Sequence, residues 1–166
     1  MNLKSFNSLE FQKAAQILRQ CCSSETWISR VLENRPFSQI EDIELIANTS
    51  WKGLSEKDYL QAFEGHPKIG EINSLKQKYK ESSTLSKSEQ SGISSANELI
   101  LAELAEKNIS YEKKFGFIFI VCATGKNASQ ILSLLDKRMT NSRAKELSNA
   151  CEEQRKIMQL RIRKLL

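Results

Sequence analysis

Apolar residues recur along most of this chain at intervals of three and four, the spacing that lays them on one face of a helix. Leu9, Phe11, Ala14, Ala15, Ile17 and Leu18 form the first such face, with Ser8 or Asn7 as its N-cap and Cys21 and Cys22 at its end. A second face, Trp27, Ile28, Val31 and Leu32, starts near Ser24 and stops ahead of Arg35-Pro36, because the residue before a proline is pushed out of the α region. Ser38, with Glu41 three residues later, has the spacing of a capping box in front of Ile43, Leu45 and Ile46. Ser55 and Asp58 repeat that N-terminal logic and open a helix through Tyr59, Leu60 and Phe63, which has to end at Glu64-Gly65-His66-Pro67.

The period is lost over residues 66–85, which read as loop with at most a short helix over 74–80. Ser86 and Glu89 then have capping-box spacing for a long helix through Ile93, Ala96, Leu99, Ile100, Ala102 and Leu104 to about Lys107, followed by a short helix over 110–114. Phe115 to Thr124 has the propensity of a buried strand. No other segment offers it a ladder partner, so the expectation is a buried apolar connector, extended or partly helical. Helices over 127–139 and 142–166, with Asn141 between them, complete an all-α, single-domain bundle (residues 1–166) of about eight to nine short helices.

Composition narrows the class. The 166 residues are 40% hydrophobic and include only 6 Gly and 2 Pro, a globular profile with no apolar run approaching the roughly 18 residues of a membrane span. Lys4, Glu10, Lys13 and Arg19 interrupt the N-terminal stretch where a signal peptide would need continuous apolarity. The expectation is a soluble, cytoplasmic protein. Cys21, Cys22, Cys122 and Cys151 form no C-x-x-C pair and have one histidine for company, so they are read as reduced thiols with no zinc set. The net charge of +5 is concentrated: residues 137–166 hold nine basic and three acidic side chains, a net of +6.

Three features could carry chemistry. His66 is the chain's one histidine, the side chain whose ordinary pKa suits proton transfer near neutrality, and it stands at a helix end beside Pro67; it could equally be a capping or surface residue. Ser86 and Glu89 are accounted for by helix capping alone, although the same first turn could hold an anionic or carbonyl-rich ligand. The basic C-terminal helix is either a nucleic-acid or adaptor surface or, with Arg155 and Lys156 in reach of Glu152 and Glu153, a solvated amphipathic face. Arg161 or Arg163 could turn inward as a fork for a carboxylate, and their spacing puts the two on different faces.

Five ordered pieces give a more specific indication: Gly65-His66-Pro67-Lys-Ile-Gly70, Ser86-Lys87-Ser88-Glu89-Gln90-Ser-Gly92, Tyr111 to Ala123, Arg138-Met-Thr-Asn141 and Lys156-Ile-x-x-Leu-Arg161. Together they resemble the 2-oxo-4-hydroxy-4-carboxy-5-ureidoimidazoline (OHCU) decarboxylase family of urate breakdown, over nearly the whole chain. The resemblance implies an all-α homodimer without metal or organic cofactor, acting on a small molecule and not on nucleic acid or membrane, and releasing CO₂ to form (S)-allantoin. It implies that His66 is the acid/base, Glu89 its acidic partner and Arg161 the cation facing the substrate carboxylate. Pro67, Ser86, Lys87, Ser88, Gln90 and the stretch Phe119, Ile120, Val121, Cys122 and Ala123 would line the site. The ending Lys164-Leu165-Leu166 is not a Ser-Lys-Leu peroxisomal address, in keeping with a cytoplasmic, bacterial protein.

Overall fold

The computed structural model describes residues 1–66 and 90–165, apart from the side chains of residues 90–97. Eight helices are found among the described residues: α1 (Leu3–Asn7), α2 (Phe11–Arg19), α3 (Glu25–Leu32), α4 (Ile40–Trp51), α5 (Glu56–Glu64), α6 (Gln90–Phe115), α7 (Ala128–Met139) and α8 (Arg143–Leu165). No strand occurs among them. Internal packing divides the chain into two compact units, Met1–His66 with Cys151–Leu166, and Pro67–Ala150.

The first unit is built on α3, which packs against α2, α4 and α5. Its core holds Phe6, Leu18, Trp27, Ile28, Val31, Ile43, Ala47, Met158 and Ile162, all essentially inaccessible. The large rings are also tied by hydrogen bonds, Trp27 Nε1 to the Ala47 carbonyl at 3.0 Å and Trp51 Nε1 to the Cys151 carbonyl at 3.1 Å. A buried indole N–H therefore keeps an acceptor. Ser24 caps α3 through Trp27 N, and Ser55 and Asp58 form the expected reciprocal box on α5.

Two starts differ from the sequence expectation. The first helix is split: Ser8 closes α1, and α2 starts at Phe11 after Glu10, so neither Asn7 nor Ser8 caps it. Asn7 instead exchanges two hydrogen bonds with the backbone of Phe37. The box on α4 lies one residue later than Ser38 and Glu41, because the Asp42 carboxylate accepts from the backbone of Gln39 at 3.1 Å and of Ser38 at 3.0 Å. Leu45, placed on the apolar face by its spacing, is 63% exposed.

In the second unit α6 packs along α7, with Lys107 bridging to Asp136 at 2.5 Å. The predicted break after Lys107 is absent and α6 runs unbroken to Phe115. Asn108, a residue that often ends helices, here buries its amide on the Leu104 carbonyl one turn back at 2.7 Å. Gly116, at φ +79°, turns the chain out of α6 in a conformation L side chains rarely adopt. The connector after it is neither helix nor strand, as expected, and Phe117, Phe119, Ile120 and Cys122 are buried. Asn127 then caps α7 in a box with Gln130. The expected loop over 66–85, the helix over 74–80 and the Ser86/Glu89 box lie, beyond His66, outside the described residues.

Candidate active site

His66 owes its position to the end of α5. Gly65 closes the helix, and the His66 N–H bonds back to the Phe63 carbonyl at 3.0 Å. The same turn is fastened to the segment joining α2 and α3. Ser23 Oγ donates to the Gln61 carbonyl at 2.9 Å, and Gln61 Oε1 accepts from Glu25 N at 3.0 Å. A Cβ on Gly65 would fall 2.2 Å from Ser23 Oγ, so glycine is what allows this approach. The imidazole that follows is half-buried.

Its Nε2 pairs with the side-chain oxygen of Gln154 on α8. Gln154 is fully buried. The amide lies against Cys22, whose thiol burial pushes up to about 12, opposed by hydrogen bonds from the Ser24 backbone and the Gln154 side chain and more weakly by the Arg161 charge. Arg161, seven residues and two turns beyond Gln154 on the same face of α8, donates to the carbonyls of Gln20 at 3.2 Å and Cys21 at 3.3 Å. These are the free carbonyls past the end of α2, where a cation is favoured. No carboxylate among the described residues pairs with Arg161, whereas Arg163 is exposed and held in an ion pair by Glu44. The segment from Gln20 to Ser24 thus carries contacts to both the end of α5 and Arg161.

The second unit holds the connector. The Ile120 carbonyl accepts from Arg138 at 2.7 Å and the Cys122 carbonyl from Lys126 at 2.8 Å. Arg138 is itself buried and ion-paired to the fully buried Glu146. Tyr111 donates to the same carboxylate, and Asn141 and Asn149 donate to its other oxygen at 2.8 and 3.1 Å. The Arg138 guanidinium lies 4.6 Å from the centre of the Phe119 ring. Burial and the Glu146 hydrogen bond drive the Tyr111 phenol well above its ordinary value, so it acts here as a fixed donor. Val121 and Ala123 are half-buried beside Ile120 and Cys122.

Across residues 7–163 the chain matches the model of the OHCU decarboxylase family. The chain belongs to that family. It is 35% identical over 147 residues to an Arabidopsis thaliana protein named uric acid degradation bifunctional protein TTL, an alignment covering 87% of this chain and 45% of that one. It thus spans under half the length of that relative. A 2-oxo-4-hydroxy-4-carboxy-5-ureidoimidazoline decarboxylase of Amia calva is 25% identical over 170 residues, 100% of this chain and 95% of its own. Among solved structures, a crystal structure of OHCU decarboxylase in the presence of (S)-allantoin is similar, with a TM-score of 0.71 and 32% identity over 95% of this chain and 98% of that one.

Of the residues that the resemblance to OHCU decarboxylases singled out, the first unit contains His66 and Arg161, and the second contains Phe119 to Ala123. Gln90 is a residue of α6. Pro67, Ser86, Lys87, Ser88 and Glu89 lie outside the described residues. Three participants were not foreseen. Gln154 read as one more polar position on a charged helix, although its seven-residue spacing from Arg161 placed both on one face. Arg138 and Glu146 were counted into a solvated basic surface, and their burial corrects that count. Among the described residues no three His, Cys, Asp or Glu side chains are grouped as a metal site would require. No described helix is long and apolar enough to cross a membrane.

Proposed function

We propose that this chain catalyses loss of CO₂ from OHCU to give (S)-allantoin, the reaction of urate breakdown carried out by the proteins it resembles. The observation that carries the reading is the family match over residues 7–163. The chemistry is consistent with the residue set. Heterolysis of the carbon–carboxylate bond leaves its electron pair on the ring carbon, where conjugated ring unsaturation can take it up, so the substrate is its own electron sink. What remains for the protein is to orient the carboxylate, stabilise developing charge and return one proton to one face.

In this reading His66 exchanges that proton, Glu89 orients and polarises the imidazole, and Arg161 faces the carboxylate. Arg161 suits the task because it is anchored at the end of α2 by one guanidinium nitrogen, leaving other N–H groups for a ligand. Too close a pairing would stabilise the bound carboxylate and slow its departure, so a cation already shared with two carbonyls is a reasonable compromise. By the same resemblance, Pro67, Ser86, Lys87, Ser88, Gln90 and Phe119 to Ala123 are the residues proposed to bind the substrate. The reading takes residues 1–166 as one functional domain, in a cytoplasmic homodimer with no cofactor.

A nucleic-acid or adaptor role for the basic C-terminal segment has little to draw on. Arg155 pairs with Glu152 at 2.8 Å and Lys156 with Glu153 at 2.7 Å, Arg163 pairs with Glu44, and Arg138 is buried on Glu146. Much of the positive charge there is therefore matched within the chain. The test is to generate OHCU in place from urate with urate oxidase and the following hydrolase, then add this protein. Faster appearance of optically active (S)-allantoin supports the proposal, and unchanged slow, racemic decay rejects it.

A further inference from the structure

Arg138 heads the Arg138-Met-Thr-Asn141 motif, which the decarboxylase reading leaves without a task. We propose that Arg138 is a positioning residue for substrate binding: anchored on Glu146, its guanidinium holds the Ile120 carbonyl and so fixes the backbone of Phe119 to Ala123 in the shape that receives the substrate. This rests on the decarboxylase reading for the binding role of that stretch, and on the structure for the grip.

Arg138 and Glu146 are both buried and ion-paired, an arrangement whose contribution to stability apolar residues of similar volume often match, so folding alone does not account for it. The surrounding groups hold the guanidinium in one place. One Glu146 oxygen pairs with Arg138 Nε and accepts from the Tyr111 hydroxyl, and the other accepts from Asn141 and Asn149 at 2.8 and 3.1 Å. Arg138 Nη2 donates to Tyr111 Oη at 3.3 Å, and the guanidinium carbon lies 4.6 Å from the centre of the Phe119 ring. The other arm, Nη1, donates to the Ile120 carbonyl at 2.7 Å. Arg138 thus touches the connector at two successive residues.

The connector is neither helix nor strand, so no regular ladder sets its peptide planes. The Ile120–Val121 peptide is trans and planar, with its C=O and N–H pointing in opposite directions; drawing the carbonyl onto Arg138 therefore also sets where the Val121 N–H points. Lys126 holds the Cys122 carbonyl at 2.8 Å, but as a point charge on a flexible stem. A buried fork backed by a carboxylate is the more rigid support, and rigidity is what a group that shapes a site must have. Lysine at position 138 would keep a charge opposite Glu146 and lose the fork that serves Ile120 at the same time.

The test compares Arg138→Lys with Asn149→Ala, which removes one donor from the other Glu146 oxygen and leaves the Ile120 contact in place. Amide ¹H–¹⁵N spectra without substrate should show the signals of residues 119–123 displaced in Arg138→Lys and unmoved in Asn149→Ala. With OHCU generated in place, Arg138→Lys should raise KM about tenfold while kcat changes less than about threefold, because the stretch binds the substrate and does not exchange its proton. Asn149→Ala should lower the melting temperature and leave KM within about twofold of wild type. Should Arg138→Lys not fold, Arg138→Met with Glu146→Leu, which removes both charges together, carries the same expected rise in KM. Unmoved signals at 119–123, a wild-type KM in a folded Arg138 variant, or an equal rise in KM in Asn149→Ala would each overturn the proposal. Wild-type protein that forms no (S)-allantoin is failure of the decarboxylase reading instead, and the amide comparison, which needs no substrate, still decides whether Arg138 sets the connector.

Discussion

Gly65 and Ser23 meet so closely that any β-carbon on residue 65 would lie 2.2 Å from the serine hydroxyl and 2.8 Å from its Cβ. The hydroxyl is not free to swing away without losing its bond to the Gln61 carbonyl. His66 is the next residue, so the contact sets where the imidazole begins. Gly65→Ala should therefore shift the end of α5, lower stability by about 1–3 kcal/mol as overpacking does, and depress turnover further than the stability loss explains. Thermal unfolding and kcat measured on the same preparation check this. The double variant Gly65→Ala, Ser23→Ala should recover part of both.

Arg161 and Arg163 separate on function. Arg161→Ala should reduce kcat/KM at least about a hundredfold, as loss of a cation at developing or departing charge does, with a modest fall in melting temperature from the vacated carbonyls of Gln20 and Cys21. Arg163→Ala breaks an exposed pair with Glu44 and should leave kcat/KM unchanged. Steady-state kinetics on the two proteins decides between them.

The buried pair Arg138–Glu146 predicts a different asymmetry. Glu146→Ala strands a buried guanidinium and removes the acceptor of Tyr111, Asn141 and Asn149, at a cost of about 3–5 kcal/mol. Replacing both partners by apolar residues, Arg138→Met with Glu146→Leu, should lose less than the single change. Denaturant midpoints measure it. Because Arg138 also holds the Ile120 carbonyl, activity should fall in both variants even where stability is regained.

Much of the first unit was legible because its signals are local. Ser24 and the Ser55/Asp58 box act within four residues, and α3 and α5 start where those caps say. The misplacement on α4 has the same origin: two adjacent carboxylates, Glu41 and Asp42, compete for the start of the helix, and the one that reaches the backbone is that of Asp42, a preference spacing alone does not carry. The break expected between about Lys107 and residue 110 is absent because the helix continues through it, with the Asn108 amide bonded to the Leu104 carbonyl one turn back. At the site, His66 and Arg161 were recognisable from motifs. Arg138 stood in a motif without a role attached, and Gln154 and Glu146 stood in none, because a polar residue on the buried face of a helix looks like any surface residue until its distant partner is known.

Alkaline pH should weaken the fold through Cys22. Burial raises its thiol from 9.0 to about 12 in the native state, so the native protein holds that proton more tightly than the unfolded chain. The stabilisation is complete below about pH 9 and is lost as pH rises toward 12, with a slope of up to about 1.4 kcal/mol per pH unit from this group. Urea midpoints followed from neutrality to roughly pH 11 should fall, and Cys22→Ala should flatten the decline. The Cys21 thiol, pushed up to about 11 by burial against the Arg161 charge, adds in the same direction.

The central claim is that this chain directs the decarboxylation of OHCU to one enantiomer of allantoin with His66 as the proton-exchanging group. The most direct measurement is the optical activity of allantoin formed when the substrate is generated in place from urate, with wild-type protein and with His66→Ala. The account predicts rapid formation of (S)-allantoin with the wild type and a return to slow, racemic product with a variant that keeps its helical signal. Racemic product with wild type, or undiminished (S)-allantoin from His66→Ala, would contradict it.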